Sequence, residues 1–139
     1  MSDKKYSRFT TTHKVRPDDI DMFNHVHNSI YLDYVLAARY EQMERFYGMA
    51  IEKFLEMGFG WVVKAVQIDF KRALSLGDHF SVETGIIEIN KKGCRVTFEI
   101  NNLKTGKTTT TGWFDFVMID LKTGKSLLLS DEMIRVYTV

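Results

Sequence analysis

The ten residues Asp19-Ile20-Asp21-Met22-Phe23-Asn24-His25-Val26-His27-Asn28 bring two carboxylates and two imidazoles together in one polar loop. A carboxylate acts as a nucleophile or a general base. Directly after the loop, Ser29-Ile30-Tyr31-Leu32-Asp33-Tyr34 opens a segment with helical spacing. The unpaired N–H groups of a helix start can hold a developing oxyanion. A carboxylate beside such a helix start supplies the two parts that acyl transfer needs. Asp19, Asp21, His25 and His27 are also residue types that bind zinc or iron. They all lie in one short loop, without a second cluster and at no recognised ligand spacing. No metal is expected.

The elements that position this loop follow from periodicity. Residues 7–16 alternate weakly and read as a first strand, ended by Pro17, whose ring fixes φ and removes a ladder donor. From Ser29 the apolar residues Ile30, Tyr31, Tyr34, Val35, Ala38, Met43 and Phe46 recur mostly every three or four positions. Asp33, Arg39, Glu41, Gln42 and Glu44 fill much of the polar face. This predicts a long amphipathic helix, N-capped by Asn28 or Ser29 and ending near Gly48. Ile51 to Met57 predicts a short second helix. Beyond Gly60 the period becomes two. Trp61–Arg72 predicts a strand with Val62, Val66, Ile68 and Phe70 on one face. His79–Asn90 predicts another, with a phase change near Gly85 that suggests a β-bulge. Turns at Asn90–Gly93, Lys104–Lys107 and Leu121–Lys125 separate strands through Cys94–Ile100 and Trp113–Asp120. Met133–Val139 predicts an edge strand. The order is strand, loop, long helix, then hairpins: an α+β domain with an antiparallel sheet and a helix against one face. One helix covers only part of such a sheet, so self-association is expected.

Composition narrows the classes. The chain has 139 residues, enough for one domain with its own core, here residues 1–139. A net charge of +1 gives no reason to expect nucleic acid or an anionic membrane as the main partner. Met1-Ser2-Asp3-Lys4-Lys5 lacks the apolar run of a secretory signal, and no segment approaches the roughly 20 apolar residues of a membrane span. Cys94 is the single cysteine, so no internal disulfide is expected, and a cytoplasmic location is the default.

At this level of detail the chain resembles the hotdog-fold acyl-CoA thioesterases of the 4-hydroxybenzoyl-CoA thioesterase-like family. That family opens with a strand, then Asp-x-Asp-x-x-Gly-His-Val-Asn-Asn, then a helix beginning with an aliphatic-Tyr-Leu run. Asp19 to Asn28 and Ile30-Tyr31-Leu32 stand at the same spacing. Ala38-Arg39, Gln67-Ile68-Asp69-Phe70-Lys71-Arg72-Ala73-Leu74, Leu76-Gly77-Asp78 and Val117-Met118-Ile119-Asp120 match further landmarks in order. The resemblance implies a hotdog fold: a long antiparallel sheet wrapped around one central helix. Two positions depart from the pattern. Asn24 replaces the family's Gly, a tolerable exchange where φ is positive, and His27 replaces the first Asn.

The resemblance assigns roles. Asp21 attacks the thioester carbonyl or activates water; the alternative is an Asp that caps a turn. The Asn28 backbone N–H polarises the thioester oxygen; the alternative, compatible reading is a plain N-cap. His25 orients Asp21, water or the thioester, or makes a structural hydrogen bond. His27 is expected as a solvent-facing residue at the rim of the substrate cleft. Asp19 is expected to accept backbone N–H groups in the turn. Lys64, Lys71 and Arg72 are candidates for the phosphates of coenzyme A, against the plainer reading of a solvated strand face. Tyr31, Tyr34 and Trp61 are candidates for an acyl pocket, against core or interface. Cys94, in phase with Val96, Phe98 and Ile100, is expected as a buried thiol. The implied substrate is an acyl-CoA or acyl carrier protein thioester, with no cofactor beyond the coenzyme A of the substrate. A homodimer or homotetramer is implied, the neighbouring subunit completing the site near Trp61 to Lys64. The alternative class is a non-catalytic acyl-CoA-binding or sensing protein on the same fold.

Overall fold

The computed structural model describes residues 6–137. Its elements run β1 (Arg8–Lys14), a 3-10 turn (Pro17–Asp19), α1 (Asn28–Tyr47), α2 (Ile51–Glu56) and β2 (Phe59–Phe70). They continue as β3 (His79–Asn90), β4 (Gly93–Asn102), β5 (Thr108–Asp120), β6 (Ser126–Leu127) and α3 (Asp131–Val136). The antiparallel sheet has the order β1-β3-β4-β5-β2, with the short β6 pairing the end of β5. The α+β hotdog arrangement expected from the sequence is the one found. β1 and β2 are its edges, and both flank the N-terminal end of the chain's long helix.

The core forms where α1 lies on the sheet. Val82, Thr84 and Ile86 of β3 stand opposite Ile100, Phe98 and Val96 of β4, and all six are buried. On α1 the buried stripe is Tyr31, Val35, Ala38, Arg39, Gln42, Met43 and Tyr47. Arg39 and Gln42, assigned to the polar face from the sequence, therefore point at the sheet. They are tolerated there because each finds partners. Arg39 Nη1 donates to Thr84 Oγ1 at 3.0 Å and Tyr47 Oη at 3.3 Å. Gln42 Nε2 donates to Thr11 Oγ1 and the Val82 carbonyl, both at 3.1 Å, and the Thr84 hydroxyl donates to Gln42 Oε1. A buried amide with its hydrogen bonds made costs little; without them it costs about 1–3 kcal/mol. Phe46, expected inside, is 36% exposed and stacks on Phe9 instead.

Three further expectations change. The N-cap of α1 is His27, not Asn28 or Ser29, and its side chain makes no capping bond. In β2 a bulge between Val63 and Ala65 shifts the pairing with β5. Trp61 and Val63 pack on the core before it and Ile68 after it, while Val62 and Val66 are 39% and 40% exposed. The single face expected for Val62, Val66, Ile68 and Phe70 is thus split by the bulge. Residues 131–136 form α3 rather than an edge strand: the Ser130 side chain accepts the Met133 N–H, and Asp131 and Glu132 favour the helix start. Residues 138–139, the end of that expected strand, lie outside the described residues. The bulge expected near Gly85 lies between Ile86 and Glu88, where β3 slips against β4.

Candidate active site

The motif loop is fixed from both ends. Ile20 bridges Val26, and Asp21 N–H donates to the His25 carbonyl at 2.8 Å. At the tip Asn24 has φ 61°, and it is the only non-glycine residue with positive φ among the described residues. The exchange of Gly for Asn thus falls where φ is positive. It also adds a tie, because Asn24 Oδ1 accepts the Leu76 N–H at 3.0 Å from the following turn. Leu74 anchors the other side. Its carbonyl accepts the Val26 N–H at 2.9 Å, and its N–H donates to the Tyr31 hydroxyl at 2.8 Å.

Asp21 sits inside this frame, close to the chain reversal. Its Oδ1 accepts the Phe23 N–H at 2.9 Å and the His25 N–H at 3.1 Å; Oδ2 has no hydrogen bond among the described residues. The His25 N–H, then that of Phe23, holds the carboxyl below the usual carboxylate range, and the His25 and His27 imidazoles act in the same direction. The group is therefore an anion with one oxygen engaged. The turn-capping reading is correct for Oδ1.

Asp19 differs from expectation. Its carboxylate is 3% exposed and accepts the Tyr34 hydroxyl at 2.5 Å and Arg16 Nε at 3.3 Å. Side chains hold it, not backbone N–H groups. Burial pushes its pKa up, but Tyr34 and Arg16 outweigh that and hold it below the ordinary value. Burial, and then the Asp19 carboxylate, raise the pKa of Tyr34. Tyr34 is thereby committed to the loop's foundation rather than to an acyl pocket. Among the described residues no three His, Cys, Asp or Glu side chains converge to hold a metal ion.

Asp21, His25, His27, Asn28, Tyr31, Lys71 and Arg72 line one open cleft, with about 400 Å³ open to water. Seven of the residues singled out in the sequence meet there. Asn28 is the first residue of α1, so its N–H is one of the donors a helix start leaves without an intrahelical partner. His25 and His27 are exposed at the rim. Lys71 and Arg72 are exposed and belong to no ion pair among the described residues. Their backbone N–H groups both donate to the Thr109 carbonyl, at 2.8 and 3.1 Å, which sets the cationic wall on the sheet.

Two candidates fall elsewhere. Trp61 lines a separate inner cavity. Lys64 sits at the β2 bulge, exposed, where its charge acts on Asp115. Within the described chain neither reaches the cleft, because the bulge turns this half of β2 away from it. Conversely, Val26, Phe70 and Ala73 line the cleft without having been singled out as site residues. The Phe70 ring meets Tyr31 edge-on at 5.4 Å; its place just before Lys71-Arg72 was the available signal. Cys94 is a thiol whose pKa burial pushes up to about 11, so it stays neutral.

The geometry can now be set beside known proteins. The sequence profile of the Thioesterase-like superfamily matches residues 15–136. The chain belongs to that superfamily. It is 28% identical over 120 residues to the long-chain acyl-CoA thioesterase FadM of Escherichia coli, spanning 86% of this chain and 89% of that protein. The crystal structure of YbaW, a probable thioesterase from Escherichia coli, superposes with a TM-score of 0.78 at 27% identity, over 91% of this chain and 94% of that one. A DHNA-CoA thioesterase from Staphylococcus aureus superposes with a TM-score of 0.88 over 94% of this chain and 89% of that one; at 18% identity it speaks for the fold. Among the described residues no helix is long and apolar enough to cross a membrane.

Proposed function

We propose that this protein hydrolyses acyl-CoA thioesters in the cleft between the motif loop, the start of α1 and the end of β2. The observation that carries the proposal is the convergence of an ionised Asp21, the free Asn28 N–H and the unpaired cations Lys71 and Arg72 on one cleft. The relationship to a long-chain acyl-CoA thioesterase supports coenzyme A as the carrier.

The thioester carbonyl oxygen lies on the Asn28 N–H, where the helix start stabilises the charge that develops on it. Asp21 Oδ2 takes a proton from water as the water oxygen attacks the carbonyl carbon. Collapse of the adduct breaks the C–S bond, and the thiolate leaving group takes up the proton. Should Oδ2 attack the carbon directly, a mixed anhydride forms and water cleaves it to the same acid and thiol. His25 orients the carboxylate or the water. Lys71 and Arg72 hold the phosphates of the carrier. No cofactor beyond the coenzyme A of the substrate enters this scheme, and a cytoplasmic setting keeps the lone Cys94 thiol reduced.

The proposal includes self-association along the edge strand β2, whose Val62, Val66 and Phe70 are 39%, 40% and 45% exposed. A neighbouring subunit placed there would bring its own β2 beside the Phe70 side of the cleft. Sedimentation at several concentrations tests this; a monomer throughout would remove the dimer from the scheme.

The activity is tested by thiol release from short, long and aromatic acyl-CoAs with wild type and Asp21→Asn. The amide oxygen of Asn still accepts the Phe23 and His25 N–H groups, so the loop keeps its shape. Turnover by wild type and a loss of about two orders of magnitude or more in the variant is the expected result. Binding of acyl-CoA without thiol release from any substrate would instead make the protein a sensor.

A further inference from the structure

A second cavity lies under the middle of α1, closed by the end of α3. Arg39, Met43, Trp61, Cys94, Phe116 and Tyr137 line it, and none of these residues lines the cleft. About 20 Å³ of it is open to the centre of a water molecule; one water needs about 10–15 Å³.

Its polar lining is rich in donors. Tyr137 is 3% exposed, and its hydroxyl has no hydrogen-bond partner; Trp61 Nε1 is also buried and unpartnered. The two rings are 6.0 Å apart and nearly perpendicular. The indole N–H comes near the hydroxyl without reaching the geometry of a bond. Arg39, 3% exposed, is the third donor. Its partners are the Thr84 and Tyr47 hydroxyls, and its guanidinium lies 4.8 Å above the Tyr47 ring. It belongs to no ion pair among the described residues. Burying a cation without a counter-charge is unfavourable, and so is each unsatisfied donor. Such groups gathered around one cavity are complementary to an anion with two acceptor oxygens.

We propose that this cavity binds an aliphatic carboxylate. Its oxygens are shared by Arg39, the Trp61 indole N–H and the Tyr137 hydroxyl, and its stem lies against Met43, Ile86 and Phe116. The cover can give way, since no residue of α3 itself is buried. The carboxylate has two possible sources: a free acid, or the far end of a dicarboxylic acyl chain held as a thioester in the cleft. Asn28 and Arg39 are eleven positions apart on α1, about 16 Å at the rise of a helix. Only a long chain spans that distance. The site itself stands whether or not Asp21 is catalytic.

The test uses a Trp113→Phe background, which leaves Trp61 as the only indole of the two in the chain. Trp61 emission is followed while sodium acetate, butyrate and octanoate are added, with octanol as the neutral control. A saturable change with at least one carboxylate, absent with octanol, is expected. Tyr137→Phe and Arg39→Lys each weaken it about tenfold or more. Tyr137→Phe keeps or raises the thermal midpoint, because it deletes a hydroxyl without a partner. No saturation with any carboxylate, equal binding of octanol, or unchanged affinity in both variants would overturn the proposal. Hydrolysis of a long dicarboxylic monothioester against its monocarboxylic equivalent then separates the sources. A preference for the former that Arg39→Lys abolishes assigns the site to the substrate's tail. No preference, with octanoate still bound, assigns it to free acid.

Discussion

The substitution Tyr31→Phe separates structure from substrate contact at the cleft. The Tyr31 hydroxyl accepts the Leu74 N–H at 2.8 Å; Tyr31 is 2% exposed and Leu74 0%. Phe keeps the ring and its contact with Phe70 but leaves that N–H buried without a partner. An unsatisfied buried donor costs about 1–3 kcal/mol, which for a chain of this size lowers the thermal midpoint by roughly 3–10 °C. Urea unfolding of wild type and variant, with an unchanged slope, measures the loss. Asp21 and Asn28 do not depend on this hydroxyl: Asp21 is held by Phe23 and His25, and the Asn28 N–H belongs to the helix start. Well below the midpoint, kcat/KM should therefore fall by less than about tenfold, far short of the 10²-fold or greater effects of removing a group that transfers protons. Unchanged stability would refute the assignment of the bond as structural. A loss of a hundredfold in kcat/KM with the fold intact would place the hydroxyl on the reacting atoms and refute the separation of roles.

Gly112→Ala should be among the most damaging changes in the sheet. A Cβ there would stand 2.0 Å from the Gln67 carbonyl oxygen and 2.5 Å from the Phe98 ring, so a loss of about 3 kcal/mol is expected in urea melts. At the loop tip, Asn24→Ala should melt below Asn24→Gly. Both lose the bond to Leu76, but only Ala meets the left-handed backbone penalty of about 1–2 kcal/mol at φ 61°. Lys71→Ala and Arg72→Ala should each raise KM for acyl-CoA several-fold and flatten its salt dependence, with kcat and the melting midpoint almost unchanged. A KM that ignores both substitutions would remove these side chains from carrier binding.

Much of this arrangement was legible because it depends on local signals. Period-two runs, Gly-containing turns and the spacing of the motif loop are written within a few residues of where they act. The errors arose where a distant partner decided the outcome. Arg39 and Gln42 read as polar-face residues until Thr11, Thr84 and Val82 supplied their hydrogen bonds from β1 and β3. The bulge in β2 is set by the register of β5, so the inward residues of Trp61–Phe70 could not be followed from alternation alone. At the C-terminus, a Ser130 cap outweighed a short apolar run that also suits a strand. The site followed the same rule. Asp21, Asn28 and the cations of Lys71-Arg72 lie next to their own landmarks, whereas the roles of Tyr31, Tyr34 and Trp61 depend on what packs above them.

Asp21 illustrates why a structural and a chemical role coexist in one residue. A free carboxylate at an exposed loop tip would sample many rotamers, and a reacting group gains from being held in one. The Phe23 and His25 N–H groups fix Oδ1, and with it the plane and direction of Oδ2. The same bonds favour the ionised form, so the group is ready to act but is a weaker base than an unperturbed carboxylate. A weak base suits a step in which the carbonyl is already polarised, and the Asn28 N–H at the start of α1 supplies that polarisation from the other side of the cleft. The consequence is a division of labour: the helix start activates the carbonyl, and the loop supplies a fixed anion. Removing the anion while retaining its hydrogen bonds, as Asp21→Asn does, is therefore the substitution that isolates chemistry from architecture.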